Sequence, residues 1–286
     1  MDFRKHIGLH IRLNDSILQA TEEAQRLGLK TFQFFLSQCQ KNNTSNYMTI
    51  STEEKKQFIA LKAHFSMIYV HTSYWINPAS GKPNSYAIAE SLLRKEIRLA
   101  QRLELHHLVL HPGSATWHQP TPDDPICRQA GIDSIVRMLN TVTKEDPEVI
   151  IILENTAHAN RAIGSDLNDL KLIREKLDRP EQLRFCLDLA HAFSYGYALE
   201  DIDTMVSILD ATMGLANLEL IHFNDSQEKF GSKKDKHAYP GYGLIGKKTM
   251  QAYLHHPALQ PLNKILEVPQ SSTEHAQTIL NELYSW

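Results

Sequence analysis

The sequence predicts an α/β protein folded as a single-domain (β/α)8 TIM barrel, and three observations predict it. Eight short apolar runs alternate with eight stretches of helical periodicity. The chain length of 286 residues suits a barrel that typically needs roughly 250. No linker, low-complexity segment or internal repeat divides residues 1–286, so they read as one unit.

The expected strands are His6–Ile11, Lys30–Leu36, Met67–Ser73, His107–Gly113, Val149–Thr156, Leu183–His191, Leu218–Asp225 and Ile265–Pro269. Each is rich in Val, Ile, Leu or Phe, the composition of strands buried on both faces of a parallel sheet. Between them the period changes to that of helices, over roughly Asp15–Gly28, Thr52–His64, Asn84–Glu104, Asp124–Lys144, Ser165–Leu177, Leu199–Met213, Lys247–His255 and Thr273–Tyr284. Asp15, Ser51, Asn84 and Ser165 stand where N-caps belong, because a short polar side chain there accepts an otherwise unpaired backbone N–H. Eight strand-then-helix units in one chain of this length point to a closed barrel rather than an open sheet. The least regular stretch, Ser226–Gly246, is rich in Gly and Lys and follows the seventh strand. A loop that long in a compact domain is usually functional.

Composition excludes several classes. The chain is 42% hydrophobic and 22% charged, a globular balance. It has no apolar run of about 18 residues to span a membrane, and Met1–Lys5 lacks an apolar signal core, so a cytoplasmic, monomeric protein is expected. Three scattered cysteines, Cys39, Cys127 and Cys186, argue against a disulfide framework. A net charge of −3 gives no global footprint of nucleic-acid binding, so any such partner needs a local basic surface or bound cations.

Chemistry in a barrel sits at the C-terminal strand ends. There the third strand carries His71, the fourth His111, the fifth Glu154, the sixth Asp188 and His191, the seventh His222 and Asp225, and the eighth Glu267. The long loop adds Asp235 and His237. One strand-end histidine is ordinarily a packing residue, and one glutamate a cap or rim charge. So many converging on one end lack a structural explanation, because carboxylates and imidazoles buried together need a neutralising charge. A divalent cation supplies it, and a nitrogen and oxygen donor set without cysteine suits zinc or manganese. His10, closing the first strand, is placed on the floor of the site rather than among the ligands. His64, His106, His118, His255, His256 and His275 read as solvated, and His107 opens its strand at the opposite end.

The motifs His71-Thr-Ser-Tyr74, His111-Pro-Gly-Ser114, Glu154-Asn-Thr-Ala157, Cys186-Leu-Asp-Leu-Ala-His191, His222-Phe-Asn-Asp-Ser226, Asp235-Lys-His237 and Leu266-Glu267 resemble, nearly end to end, the endonuclease IV family of abasic-site endonucleases. The resemblance implies three zinc ions, with manganese an alternative at one site. The first is held by His71, His111 and Glu154. The second is held by Glu154, Asp188, His222 and Glu267, and the third by His191, Asp235 and His237. Glu154, bridging the first two, is the implied catalytic residue. The implied reaction is hydrolysis of the phosphodiester 5′ to an abasic site in duplex DNA, leaving a 3′-hydroxyl, as in base excision repair. Water bound to such ions loses its proton near pH 7 rather than near 16.

The same resemblance assigns DNA contacts to Tyr74, with Trp75 beside it, to Gln40 and Lys41 after the second strand, and to Lys236 in the long loop, where Lys233 and Lys234 are further phosphate candidates. The sequence departs from the family's pattern on its DNA-facing loops: Arg12–Ser16 after the first strand, Gln40 where an arginine is usual, His158 where a glycine is usual, and Tyr242 in place of an acidic residue. A rival assignment is a sugar isomerase or epimerase of the xylose-isomerase-like barrel group, which would use Glu154, Asp188, His222 and Glu267 around one metal. His71, His111, His191, Asp235 and His237 would then be surplus.

Overall fold

The computed structural model describes residues 2–13, 16–39, 45–116, 125–158, 161–269 and 272–286. Eight parallel strands close a barrel: β1 (Ile7–His10), β2 (Thr31–Phe35), β3 (Met67–His71), β4 (His107–Leu110), β5 (Ile150–Glu154), β6 (Leu183–Asp188), β7 (Leu218–His222) and β8 (Asn263–Leu266). Hydrogen bonding runs β1-β8-β7-β6-β5-β4-β3-β2 and returns to β1. All eight expected strands are present, each inside its predicted range or a few residues from it.

The helices are α1 (Ile17–Arg26), α2 (Thr52–Lys62), α3 (Pro83–Arg102), α4 (Pro125–Glu145), α5 (Leu167–Glu175), α6 (Leu189–Tyr195), α7 (Ile202–Thr212), α8 (Lys247–His255) and α9 (Thr273–Tyr284). The eight expected helices form, and α6 is an addition. The sixth strand stops at Asp188 instead of running to His191, because the Asp188 carboxylate accepts the His191 N–H at 2.7 Å and starts α6. Ser51 caps α2 by accepting the Glu54 N–H, as expected. The other caps differ. Ser16 caps α1 while Asp15 lies outside the described residues, Pro83 opens α3 ahead of Asn84, and Asp166 rather than Ser165 caps α5. Ser165 is diverted into the loop after β5, where its hydroxyl meets Thr156 and the His158 carbonyl.

The core has two parts. Most buried apolar residues lie between barrel and helices. Inside the barrel, Tyr69, Val109, Ile152, Cys186, Leu220 and Ile265 form a separate plug. Alternate residues of a strand share a face, so the residue two positions later on each strand also points inward, one layer higher. Those residues are His71, His111, Glu154, Asp188, His222 and Glu267. The apolar plug is the floor on which the candidate ligand set stands.

On β1 the inward residue of the plug layer is Gly8, where a Cβ would lie 2.2 Å from the Thr31 carbonyl oxygen and 2.7 Å from Ile265 Cδ1. Only glycine lets β1 approach β2 this closely. No helix among the described residues is long and apolar enough to cross a membrane.

Candidate metal centre

The predicted ligands meet at the C-terminal mouth. Three groups of donor atoms, each within 4.8 Å of one another, are His71–His111–Glu154, Glu154–Asp188–His222–Glu267 and Asp188–His191–His237. Glu154 belongs to two groups, and its two oxygens face different ways. Oε2 lies 3.0 Å from His111 Nε2 and 3.3 Å from His71 Nε2, while Oε1 lies 2.9 Å from His222 Nδ1. Asp235 reaches the third group, with Oδ2 3.2 Å from His191 Nε2 and Oδ1 3.2 Å from His237 Nε2. Asp188 is shared as well, its Oδ2 standing 3.5 Å from His237 Nε2.

The electrostatics explain why these groups tolerate one another. Burial alone would raise the Glu154 carboxyl, but the His222 and His111 imidazoles outweigh it and hold the group well below the usual carboxylate range. Asp235 is likewise lowered, burial being overcome by His191 and His237. Burial would lower His191, yet Asp188, Asp235 and Glu154 raise it well above the ordinary imidazole value. His237 is raised to about 9 because the Asp188 and Asp235 carboxylates overcome its burial. Protons therefore sit where divalent cations fit.

The residues suit such ions on one further observation. His237 Nε2 is buried with no hydrogen-bond partner of acceptable geometry, and it points at two carboxylates. An orphaned imidazole nitrogen aimed at carboxylates is a donor waiting for a cation.

Three of the candidate ligand histidines are oriented from behind by backbone carbonyls. His71 Nδ1 faces the Thr72 carbonyl at 2.8 Å, His191 Nδ1 the Asn155 carbonyl at 2.8 Å, and His237 Nδ1 the Glu267 carbonyl at 3.4 Å. Such contacts fix which ring nitrogen is left for a metal. Asn155 and Asn224, which the sequence reading passed over, support the carboxylates. Asn155 accepts the Asp188 N–H at 2.7 Å and donates to the Asp188 carbonyl. Asn224 donates to Asp188 Oδ2 at 2.7 Å and accepts the Glu267 N–H at 2.8 Å.

Asp225, grouped by sequence with the strand-end polar residues, does different work. Its buried carboxylate accepts N–H groups from Ser226, Gly241, Gly243, Ile245 and Gly246 at 2.7–3.3 Å. It folds the long loop around itself and so carries Asp235 and His237 to the mouth. A Cβ at Gly243 would meet Asp225 Oδ1 at 2.4 Å, so the loop closes only around glycine there.

His10 lines the floor, as expected, with Nδ1 3.5 Å from Glu267 Oε1. Beside it lies Gln33, which the sequence reading missed altogether. Its side chain is fully buried and touches His10, Glu267 and His222.

Among the residues expected to contact DNA, Tyr74 stands at the rim. Its ring lies 5.6 Å from His71 and 5.5 Å from His111, yet 64% of the residue is exposed. Trp75 next to it is 41% exposed. Lys236 is exposed between two ligands, and Lys234 is exposed too. Lys233 is turned away, its ammonium bonded to the Tyr195 carbonyl and lying over the Tyr195 ring. Gln40, Lys41 and His118 lie outside the described residues.

A hairpin that sequence did not suggest, Ser37–Cys39 with Ser45–Tyr47, follows β2. Tyr47 bonds to the buried Glu96 on α3, which also accepts the Ser73 N–H. One carboxylate thus ties together the loops after β2 and β3. Burial pushes that carboxyl up to about 7.

Known proteins share this fold. Residues 21–286 match the family profile of the xylose isomerase-like TIM barrel. A probable endonuclease 4 of Heliobacterium modesticaldum is 30% identical over 275 residues, covering 96% of each chain. Another from Staphylococcus carnosus is 32% identical over 268 residues, covering 92% of this chain and 87% of that one. The crystal structure of endonuclease IV from Thermus thermophilus superposes with a TM-score of 0.81 over 98% of each chain at 24% identity. A D-tagatose 3-epimerase-like protein shares the fold at a TM-score of 0.69 and 18% identity, over 98% of this chain and 96% of that one. By fold and by end-to-end sequence similarity, the chain belongs to the endonuclease 4 family within the xylose isomerase-like TIM barrels.

Proposed function

We propose that this protein is a zinc-dependent abasic-site endonuclease that hydrolyses the phosphodiester 5′ to an abasic site in duplex DNA. The reading takes it as a monomer acting in the cytoplasm during base excision repair. The observation that carries it is the presence of two donor groups, around His71–His111 and His191–His237, flanking the Glu154–Asp188–His222–Glu267 group. A sugar isomerase or epimerase needs only the last, and the outer groups have no task there.

The proposed assignment gives the first ion to His71, His111 and Glu154. The second goes to Glu154, Asp188, His222 and Glu267, and the third to His191, Asp235 and His237. Bound divalent ions supply Lewis acidity toward phosphate oxygens and a coordinated water acidic enough to deprotonate near neutral pH. Manganese is an alternative at one site. The residues do the rest. Glu154 turns one oxygen to the His71–His111 group and the other to His222, and holds their separation. Tyr74, with Phe35 at 5.2 Å, walls the mouth above His71 and His111, where a sugar extruded from the duplex would lie. Exposed Lys236 brings positive charge to the rim of a protein whose net charge is −3. Trp75 is assigned to the same DNA-facing rim, and DNA contacts are proposed for Gln40 and Lys41 from their sequence positions alone.

The test is incision of a duplex carrying one synthetic abasic site. The reading predicts a single cut 5′ to the site, a 3′-hydroxyl product, loss of cutting with a chelator and recovery with zinc. No incision by fully metal-loaded protein, with turnover of a ketose instead, sinks it.

A further inference from the structure

We infer that Gln33 is a positioning residue for the second metal group: its amide decides which nitrogen of His222 faces the centre and holds the Glu267 carboxylate beside it. The inference deepens the metal-dependent reading above and rests on it.

The amide is used on both sides. Gln33 Nε2 lies 2.7 Å from Glu267 Oε1 and 3.0 Å from His10 Nδ1, while Gln33 Oε1 lies 3.0 Å from His222 Nε2. An ionised Glu267 offers only acceptors, so the amide nitrogen must be the end that faces it. That fixes the amide's orientation and leaves Oε1 to accept the Nε2–H of His222. His222 is then committed to presenting Nδ1 to the centre, where it stands 2.9 Å from Glu154 Oε1 and 3.1 Å from Glu267 Oε2. One side chain thereby orients a neutral ligand and an anionic ligand of the same group. No carboxylate or thioether of this size does both, since an ionised glutamate lacks the donor and a methionine has no donor and only a weak acceptor.

The contrast with three other candidate ligand histidines makes the role separable. His71, His191 and His237 are backed by backbone carbonyls, which no substitution removes. His222 is backed by a side chain from a different strand. Register explains how it arrives: Gln33 pairs with His10, which stands two residues beyond plug-layer Gly8 on β1. It therefore occupies on β2 the layer that the ligands occupy on the later strands. Gln33 and His10 complete an inward ring of eight polar residues, one from each strand.

The test compares wild type with Gln33→Met, which keeps the volume, and Gln33→Glu, which keeps the acceptor for His222 but sets a carboxylate against Glu267. In crystals of the metal-free proteins, the inference predicts that in Gln33→Met the His222 ring or the Glu267 carboxylate leaves its wild-type position. In zinc-buffered competition, it predicts that one of the bound ions needs about 10–100-fold more free zinc for half occupancy, while the remaining ions bind as in wild type. On abasic duplex, kcat falls with KM little changed. His222 and Glu267 unmoved, together with wild-type zinc binding, overturns the inference. If Gln33→Met does not fold, Gln33→Glu carries the same comparison. A wild type that takes up no zinc would sink the metal-dependent reading, whereas the metal-free crystals still decide the role of Gln33.

Discussion

At the scale of single residues, the site is a matter of which side chain stands two positions beyond an apolar one. Glu154 follows Ile152, His222 follows Leu220, and each inherits its inward direction from the plug below. Replacing Glu154 with Gln keeps the volume and removes the charge that the first two donor groups share. Zinc content is expected to drop, and incision to fall by more than the roughly 10–100-fold typical of losing a mere supporting residue. Mass spectrometry and single-turnover assays check this. Gly8→Ala drives a methyl group into the Thr31 carbonyl, a backbone atom that cannot rotate away. A loss of at least about 1–3 kcal/mol in urea denaturation is expected, and unchanged stability would contradict the packing described. Seven of the nine proposed ligands were legible because His, Asp and Glu stand out at or just past the ends of apolar strands, and Asp235 and His237 because they share one short segment of the long loop. Gln33 was not, although a lone amide between Phe32 and Phe34 is itself anomalous in a buried strand. An uncharged side chain draws no attention until its neighbours are known. Asn155 and Asn224 were hidden for the same reason, within motifs read only for their ligands.

At the scale of elements, what the sequence could not disclose is how the long loop after β7 is held. It has little regular structure: only Asp225–Ser226 pair with His237–Ala238. Its order comes from the Asp225 carboxylate, a local hydrogen-bond hub with no periodicity to betray it. Asp225→Ala strands several buried N–H groups, each costing about 1–3 kcal/mol. Hydrogen exchange at the amides of Gly241, Gly243 and Ile245 is expected to accelerate strongly, and the ion assigned to His191, Asp235 and His237 to bind more weakly. Protected amides in this variant would contradict the role given to Asp225. The short helix α6 was equally illegible, because its cap, Asp188, is also a strand end and a candidate ligand. Ser51, by contrast, is only a cap, and sequence placed it correctly.

At the scale of the whole molecule, barrel closure followed from eight strand-and-helix units, and the structure closes it through β1 and β8. The charge packed into its mouth makes stability depend on both metal and pH. In the metal-free protein, His237 is raised from 6.5 to about 9, and His191 and His222 are raised as well. Their contribution is full below the unfolded imidazole value and is lost as pH climbs through the raised folded values, which for His237 is about 9. Glu154, Asp235 and Glu267 are lowered, so theirs is present above the unfolded carboxylate values and fades as pH falls through the folded ones. The melting temperature of stripped protein is therefore expected to decline from pH 6.5 to 9. Zinc needs deprotonated imidazoles, so the extra stability it confers is expected to grow over the same range. Parallel melting curves for stripped and loaded protein would contradict this. The central claim, a cluster rather than a single ion, is tested most directly by counting metals in the natively folded protein by mass spectrometry after zinc loading and removal of excess. The account predicts three zinc ions per chain, and one ion per chain contradicts it.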